Sequence, residues 1–244
     1  MQYKFEYERS RVAAENLAYH DQAADSYNHT MDKNPANKIL REQVKEKLSS
    51  LLSSGRVLDF GGGTGLDLEW LTRRYQVLFC EPSVPMREQA IHYNDTILRS
   101  DAITFLEGDK TDFTRWDKAL PFTQPCDAVL SDFGALNYIP DVELLFRNVG
   151  KVLKPGGHFV LMILRLGFKK RMKWHRRNAI ASLLFGNQFV MYIPFDNGQR
   201  QTVFVHSLKK IRKASAPYFT YAGHDLMGNY DFTLIHLIRN EKQD

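Results

Sequence analysis

The stretch from Val57 to Leu66 reads VLDFGGGTGL, and it decides the fold of this chain. Val57, Leu58 and Phe60 favour a β-strand, and glycine occupies four of the five positions that follow. A turn so rich in glycine lets the backbone approach a ligand with no side chain in the way. It also aims the first amides of the next helix at that ligand. The stretch therefore predicts a strand, a glycine turn and a helix around a ligand site.

The spacing of the glycines and the nature of Asp59 narrow the class of ligand. Gly61, Gly63 and Gly65 form G-x-G-x-G, whereas the dinucleotide fingerprint is G-x-G-x-x-G, so a nicotinamide dehydrogenase is disfavoured. No Gly-Lys-Ser/Thr follows, which excludes a phosphate-binding P-loop. The Asp59 carboxylate would repel a pyrophosphate and suits a ligand that carries positive charge.

An apolar strand, an acidic residue and G-x-G-x-G resemble the first motif of the class I S-adenosylmethionine (SAM)-dependent methyltransferases. The resemblance is to small-molecule enzymes like those of ubiquinone and menaquinone biosynthesis, and it extends to the turn Lys154 to Gly157 (KPGG). It covers about 55–165 and 207–240. It implies an α/β fold: a Rossmann-like three-layer sandwich with a seven-stranded, mostly parallel sheet. It also implies SAM as cofactor and S-adenosylhomocysteine (SAH) as product.

The resemblance also implies which residues contact the cofactor. Glu81 ends the apolar strand Gln76 to Cys80, where an acidic residue can accept hydrogen bonds from ribose hydroxyls. After the third strand, Asp109 is the match for the carboxylate that accepts from the adenine amino group, and Lys110 is its neighbour. Asp132 projects from the end of the fourth strand. The expected cofactor contacts are Asp59, Gly61, Gly63, Gly65, Glu81, Pro82, Asp109, Lys110, Asp132, Phe133, Tyr27 and Tyr19.

The two tyrosines of that set come from the N-terminal region, which we expect to form a helical lid. Tyr19 to Asn28 (YHDQAADSYN) resembles the aromatic-Asp-x-x-Ala-x-x-Tyr-Asp segment that folds over cofactor and substrate in many small-molecule methyltransferases. Asn28 stands where the family usually has Asp. The alternative is an ordinary amphipathic helix that keeps Tyr19 and Tyr27 in the core.

A segment that the family core does not explain follows the fifth strand and predicts a substrate cap. Phe168 to Phe185 has a helical pattern rich in Lys and Arg, and Asp196 to Gly198 (DNG) between two apolar runs is a strong hairpin signal. The predicted organisation is an N-terminal helical lid (1–54), a SAM-binding core (55–165), a cap insertion (166–206) and a C-terminal completion of the core (207–244).

Methyl transfer from SAM is an in-line displacement, so the protein chiefly has to align the acceptor in a dry pocket. A general base helps where the acceptor is a hydroxyl, and the candidates are His175, His206 and Asp132. The histidines are scattered without ligand spacing, so we expect a metal-independent enzyme. The candidate acceptor contacts are Asn137, Tyr138, Trp174 and Tyr192.

The charge distribution along the sequence does not identify the molecule that accepts the methyl group. Between Leu144 and His224 the sequence has fifteen Lys or Arg and one acidic residue, Asp196. Either two faces of one fold attract each other, or the basic half meets an anionic ligand or surface. We expect methylation at oxygen or nitrogen of an enclosed small molecule, anionic or phenolic. An RNA or protein methyltransferase that docks through the basic half is the alternative, and a non-enzymatic SAM-binding regulator is a third hypothesis.

Nucleic acid is not an expected partner. Ser131 to Gly134 lacks the Pro-Pro of enzymes that methylate base amino groups, which counts against those targets but not against ribose or protein. The charged start MQYKFEYERSR has no apolar core, which argues against a signal peptide, and no apolar run is long enough to span a bilayer. Two isolated cysteines favour a reducing compartment, so we expect a cytoplasmic enzyme, with a homodimer as an open option.

Overall fold

The structure is a computed structural model that describes residues 2–94, 101–185, 189–194, 200–228 and 231–241. Its helices are α1 (Gln2–Asp32), α2 (Pro35–Leu51), α3 (Leu68–Thr72), α4 (Val84–Tyr93), α5 (Val142–Val152), α6 (Phe168–Phe185) and α7 (Leu208–Ser215). Its strands are β1 (Gly55–Phe60), β2 (Tyr75–Cys80), β3 (Ile103–Phe105), β4 (Cys126–Ser131), β5 (Leu153–Leu164), β6 (Phe189–Pro194), β7 (Arg200–Val205), β8 (Phe219–Leu226) and β9 (Phe232–Arg239). Short 3₁₀ helices cover Gly108–Thr111, Phe113–Arg115 and Ala135–Tyr138.

Seven strands form one sheet in the order β3-β2-β1-β4-β5-β9-β8. The strands β1 to β5 run parallel, and β9 is antiparallel to both of its neighbours, β5 and β8. This confirms the expected α/β fold with a mostly parallel, seven-stranded sheet. The strand order reverses between β1 and β4, and in open α/β sheets the ligand crevice lies at such a reversal, outside the carboxyl ends of the strands.

Two hydrophobic cores lie on opposite faces of this sheet, because side chains alternate along each strand. In β1, Val57 packs into one core and Leu58 into the other, and in β5, Phe159 and Val160 divide in the same way. Helices cover both faces: α2 and α3 pack on one, and α5 and α7 on the other. The sheet edge is thereby held rigidly between two helical layers.

Capping side chains mark the starts of three helices. The Asn34 side chain accepts a hydrogen bond from the amide of Ala36 at 3.1 Å, and proline follows the cap. Ser83 caps α4 through the amide of Met86, and Ser207 caps α7 through that of Lys210. These caps define the starts of α2, α4 and α7.

The segment from Phe168 to Val205 forms a small unit beside the main sheet. Helix α6 packs on the antiparallel pair β6 and β7 around its own apolar cluster. The predicted hairpin strands are present, and the predicted Asp196 to Gly198 turn lies outside the described residues. The division of the chain into lid, core and cap stays a prediction.

Side-chain amides and hydroxyls attach helix α1 to the rest of the molecule. Asn16 accepts from the amide of Thr202 at 2.8 Å and donates to its carbonyl at 3.0 Å, so it pairs with β7 as a neighbouring strand would. Five residues further along α1, Asp21 accepts a hydrogen bond from the Ser83 hydroxyl at 2.6 Å. These bonds hold α1 across the carboxyl edge of the sheet.

Among the described residues, none of the helices combines the length and apolar character that a bilayer crossing requires.

The last glycine of the turn after β1 offers a test of packing. Gly65 and Gly156 both adopt a left-handed backbone, with φ of +73° and +74°. A Cβ on Gly65 would lie 2.7 Å from Leu68 and 2.9 Å from Ala90, whereas one on Gly156 meets nothing within 4 Å. We expect Gly156→Ala to lower the free energy of unfolding by about 1–2 kcal/mol through backbone strain alone. Gly65→Ala should lose about 1–3 kcal/mol more through overpacking, measured by urea denaturation. Equal losses for both variants would contradict this role of Gly65.

Candidate functional site

A cavity of about 480 Å³ opens at the carboxyl edge of the sheet, a size that suits a small molecule or cofactor. Its floor is the glycine turn after β1 together with the ends of β2 and β4. One wall comes from α1, and another comes from the 3₁₀ segments that follow β3 and β4. The cavity therefore occupies the crevice that the reversal of strand order creates.

The glycine turn brings backbone directly to the cavity. Gly61 and Gly63 both line it, and both have left-handed backbones, with φ of +76° and +58°. A Cβ on Gly61 would lie 2.7 Å from that of Ala135, so a side chain there would push the turn away from the segment after β4. Gly65 does not line the cavity and instead packs against α4, which assigns it a structural position.

Glu81 ends β2 at the cavity wall, where the sequence predicts a ribose-binding carboxylate. It is 7% exposed. One carboxylate oxygen accepts from the amide of Ser83 at 2.8 Å, and the other accepts from that of Gly63 at 2.9 Å. Burial raises the pKa of Glu81 to about 7, although both backbone hydrogen bonds oppose the shift. Its neighbour Pro82 also lines the cavity, as expected.

Asp132 ends β4 and joins a second carboxylate, Asp67, and Arg41 at the cavity. Asp132 is 8% exposed, and its Oδ2 is buried without a hydrogen-bond partner among the described residues. Burial, and then the neighbouring Asp67, raise the pKa of Asp132 well above its usual range, against the effect of Arg41. Arg41 forms an ion pair with Asp67, whose other oxygen accepts from the Trp70 ring at 2.8 Å.

Phe133 holds the only left-handed backbone of a non-glycine residue in the described part of the chain, with φ of +42°. Such conformations cost energy and concentrate at ligand sites. The Arg41 guanidinium lies over the Phe133 ring at 4.4 Å from its centroid, which holds both side chains at the cavity. Phe133 was expected at the cofactor from its place after β4, and it does line the cavity.

Asp59 lies one layer below the cavity rather than on its surface. It is buried in β1, and its Oδ2 would lie 2.6 Å from a Cβ on Gly62, which places the carboxyl under the glycine turn. That oxygen has no hydrogen-bond partner among the described residues. Burial, followed by Asp67 and Glu81, raises the pKa of Asp59 well above its usual range. Asp59 does not line the cavity, so the contact with the cofactor that the sequence suggested is not formed by this side chain.

Helix α1 presents one stripe of side chains to the cavity. Ala13, Leu17, His20 and Tyr27 all line it, at the spacing of three, four and seven residues that one helix face requires. Tyr27 was expected there. The His20 ring contacts the ring of Tyr138 edge to face, with centroids 4.9 Å apart.

The sequence pattern did not indicate several of the residues that line the cavity. His20, Arg41, Asp67 and Asp112 all line the cavity. His20 lies seven residues before Tyr27, so the helical period offered a signal for it. Arg41, Asp67 and Asp112 reach the cavity through helix packing and 3₁₀ turns, which local pattern does not reveal.

The expected adenine-binding pair is not at the cavity. The Asp109 side chain is 78% exposed and forms an ion pair with Arg115 at 2.5 Å, and Lys110 is also exposed. The physical reason is the 3₁₀ turn Gly108–Thr111, which carries both side chains outward. Asp112, just after that turn, lines the cavity instead and accepts from the amide of Thr114 at 3.0 Å. The aromatic Tyr19 likewise does not line it and contacts the His20 ring instead.

Two of the residues expected at the site from the cap region, His206 and Tyr192, do not line the cavity. His206 is buried, with Nε2 3.3 Å from the carbonyl oxygen of Leu136 and 3.2 Å from that of Ile139. Burial, and then Lys210, lower the pKa of His206 to about 4, so it is a neutral packed histidine. Tyr192 is 41% exposed and lies under Arg200. Trp174 and His175 belong to α6, but their side chains lie outside the described residues.

Asn137 has a structural position, whereas Tyr138 lines the cavity as expected. The buried Asn137 amide donates to the carbonyl of Phe204 at 2.7 Å, and its oxygen accepts from the amide of Leu164 at 2.7 Å. It therefore ties β7 to the end of β5. Among the described side chains of α6, no lysine or arginine lines the cavity.

The comparisons with known proteins agree with this geometry. The family model described as "Methyltransferase domain" matches residues 27–214. The structure of the DhpI-SAM-HEP complex is similar, with a TM-score of 0.68 and 18% identity, over 93% of this chain and 96% of that one. The 1,6-didemethyltoxoflavin-N1-methyltransferase of Burkholderia thailandensis, with bound 1,6-didemethyltoxoflavin and SAH, has a TM-score of 0.67 and 13% identity, over 95% and 90%.

A third similar structure is the N-methyltransferase NodS from Bradyrhizobium japonicum WM9 in complex with SAH. Its TM-score is 0.59 at 15% identity, over 86% of this chain and 90% of that one. The comparison with curated proteins found no significant match.

The role of Asn137 can be tested by its removal. Asn137→Ala leaves the Leu164 amide and the Phe204 carbonyl without their partner, and each buried unsatisfied group costs about 1–3 kcal/mol. We expect the free energy of unfolding to fall by about 2–4 kcal/mol in urea denaturation. SAH affinity, measured well below the melting temperature, should change little. Unchanged stability with a raised acceptor KM would instead support the acceptor contact that the sequence suggested.

Proposed function

Because the chain belongs to the methyltransferase domain family, we propose that it transfers a methyl group from SAM to oxygen or nitrogen of a small molecule. The family match and the fold confirm the class I methyltransferase that the glycine motif indicated. The observation that carries the proposal is the cavity itself. It joins a bare glycine turn to a set of buried carboxylates at the carboxyl edge of the sheet.

The residues of the cavity fit SAM by charge and by space. SAM carries positive charge, and the buried Oδ2 of Asp132 has no partner of its own among the described residues. The turn from Gly61 to Gly63 leaves a cradle that any side chain on Gly61 would disturb. We assign the ribose to Glu81, the carboxylate of the methionyl part to Arg41, and the adenine ring to the segment around Asp112.

The chain's own residues have a limited chemical task. SAM, when bound, supplies a methyl group on a positively charged sulfur, which needs no further activation. The protein has to orient the acceptor and exclude water. Helix α1 covers the cavity and is fixed by Asn16 and Asp21, so it excludes water from above. Burial and the neighbouring Asp67 raise the pKa of Asp132, so a cation bound beside this carboxyl would stabilise its ionised form and is favoured there.

A small acceptor suits this enclosure better than a polymer does. The cavity is bounded by α1, and the basic residues of α6 lie on the surface away from it. No observation among the described residues favours docking of RNA or protein. The two free thiols, Cys80 and Cys126, are both buried, and we place the enzyme in a reducing compartment such as the cytoplasm.

Calorimetric titration of the purified protein with SAH tests the cofactor site. Asp132→Asn removes a buried carboxyl that would pair with the positive charge of SAM, and we expect SAM affinity to fall at least tenfold, since hydrogen bonds to charged groups are worth about 1.5–3 kcal/mol. Asp109→Asn is the matched control, because that carboxylate is exposed and off the cavity. It should bind SAM as the unchanged protein does. Failure of the unchanged protein to bind SAM or SAH would refute the proposal.

The raised pKa of Glu81 predicts a pH-dependent affinity. An ionised carboxylate accepts hydrogen bonds from ribose hydroxyls, and the free protein has a Glu81 pKa of about 7. Affinity for SAH should therefore be lost as pH falls through 7, with roughly a tenfold gain from pH 6 to pH 8 and a plateau above. Glu81→Gln should bind more weakly and remove this rise. A rise that persists in Glu81→Gln would assign it to another group.

A further inference from the structure

The proposed function leaves the acceptor unidentified, and the wall formed by α1 bears on it. We propose that the acceptor is an uncharged, planar aromatic molecule with a hydroxyl or N–H group, bound between α1 and the segment Ala135–Tyr138, and that His20 takes up the proton it loses. This rests on the proposed function, since it names the substrate class of the same cavity.

The charged side chains of the cavity are confined to one side. They are Arg41, Asp67, Glu81, Asp112 and Asp132, and they come from α2, from the strand ends and from the loops at the sheet edge. By contrast, the described side chains of α1, from residue 10 onward, and of the segment from Ala135 to Ile139 present no carboxylate, lysine or arginine to the cavity. The half that faces α1 therefore offers apolar and aromatic surface to a second ligand.

The balance of charge disfavours an anionic acceptor. Four carboxylates line the cavity against a single guanidinium, that of Arg41, among the described residues. Arg41 is paired with Asp67 and stacked on Phe133, and the proposed function assigns its guanidinium to the carboxylate of SAM, so it is not available to an acceptor. An anion brought into this space would lose its hydration without gaining a free cation, which is costly in a partly buried site. The basic surface of α6 does not reach the cavity, so it does not relieve that cost.

The shape of the wall favours a planar ring. Ala13 and Ala14 are small, while His20, Tyr138 and Phe113 supply ring surfaces. Aromatic rings pack well edge to face or offset, as the rings of His20 and Tyr138 already do at 4.9 Å. The part of this wall that comes from α1, with Ala13, Ala14 and His20, precedes residue 27, where the family match begins, so the family match does not describe that part.

His20 is the group on this wall that can take a proton. Its ring has no hydrogen-bond partner among the described residues. Burial lowers its pKa to about 4, against the opposing effect of Asp21, so the ring is neutral at physiological pH and keeps one unprotonated nitrogen. The neighbouring rings of Tyr19 and Tyr138 hold its orientation.

The methyl transfer is balanced in atoms and charge when His20 accepts the proton. The O–H or N–H bond of the acceptor breaks, and a bond forms from that oxygen or nitrogen to the methyl carbon. The electron pair of the carbon–sulfur bond stays on sulfur, which loses its positive charge. The proton passes to the unprotonated nitrogen of His20 and leaves to water when the products depart.

The first test measures binding to the complex of the protein with SAH. Two matched pairs are titrated by calorimetry: 2-naphthol against 6-hydroxy-2-naphthoate, and 4-hydroxyquinoline against its 2-carboxylate. We expect each neutral member to bind at least tenfold more tightly than its carboxylated partner. Carboxylates that bind as tightly, or neutral members that do not bind at millimolar concentration, would overturn the inference. If SAH itself does not bind, the proposed function fails instead.

The second test removes the histidine. With a neutral acceptor from the first test, His20→Ala should lower kcat by about a hundredfold or more, while the acceptor KM changes less than threefold. Added imidazole should restore part of kcat, because the vacated space adjoins the cavity. His29→Ala is the matched control, since His29 is exposed on the same helix. Unchanged kcat in His20→Ala, or a loss that imidazole does not restore, would overturn the role of His20.

Discussion

The Glu81 carboxylate ties together the parts of this molecule that form the site. Its two oxygens accept from the amides of Gly63 and Ser83, so one side chain joins the turn after β1 to the turn after β2. Ser83 in turn caps α4 and donates to Asp21 of α1. A buried carboxyl is costly unless it is hydrogen-bonded, and these bonds offset the cost while they fix the glycine turn at the cavity.

The molecule separates its charges between the cavity and the surface. The chain is basic overall, with a formal net charge of +5, yet four of the five charged side chains that line the cavity among the described residues are carboxylates. Part of the basic surface is used within the fold: Lys170 pairs with Asp231 at 2.5 Å, and Arg171 lies over the Phe189 ring. Of the two interpretations that the sequence left open, attraction between parts of one fold thus has direct support. A basic surface that supplies an anionic acceptor site has none among the described residues.

Helix α1 reaches two parts of the cavity. Its C-terminal half brings Tyr27 to the glycine turn, and its middle brings Leu17 and His20 to the wall across from the sheet. Asn16 bonds to the backbone of β7 and so couples this wall to the small β6–β7 unit. The β6–β7 unit therefore acts on the cavity through its support of α1, and not through its own aromatic side chains.

The sequence by itself determined the strands, the glycine turn, Glu81 and Asp132, because these depend on short-range pattern: alternation along a strand and glycine where the backbone must turn left-handed. Tertiary structure alone decided which of several neighbouring residues faces the cavity. Because of a 3₁₀ turn, Asp112 lines the cavity and Asp109 does not. The rotation of α1 about its own axis places His20 at the cavity. Packing buried His206 and Asn137 as structural groups. A shift of one to three residues along a helix or turn reverses the direction of a side chain, and only the packing of distant elements sets that phase.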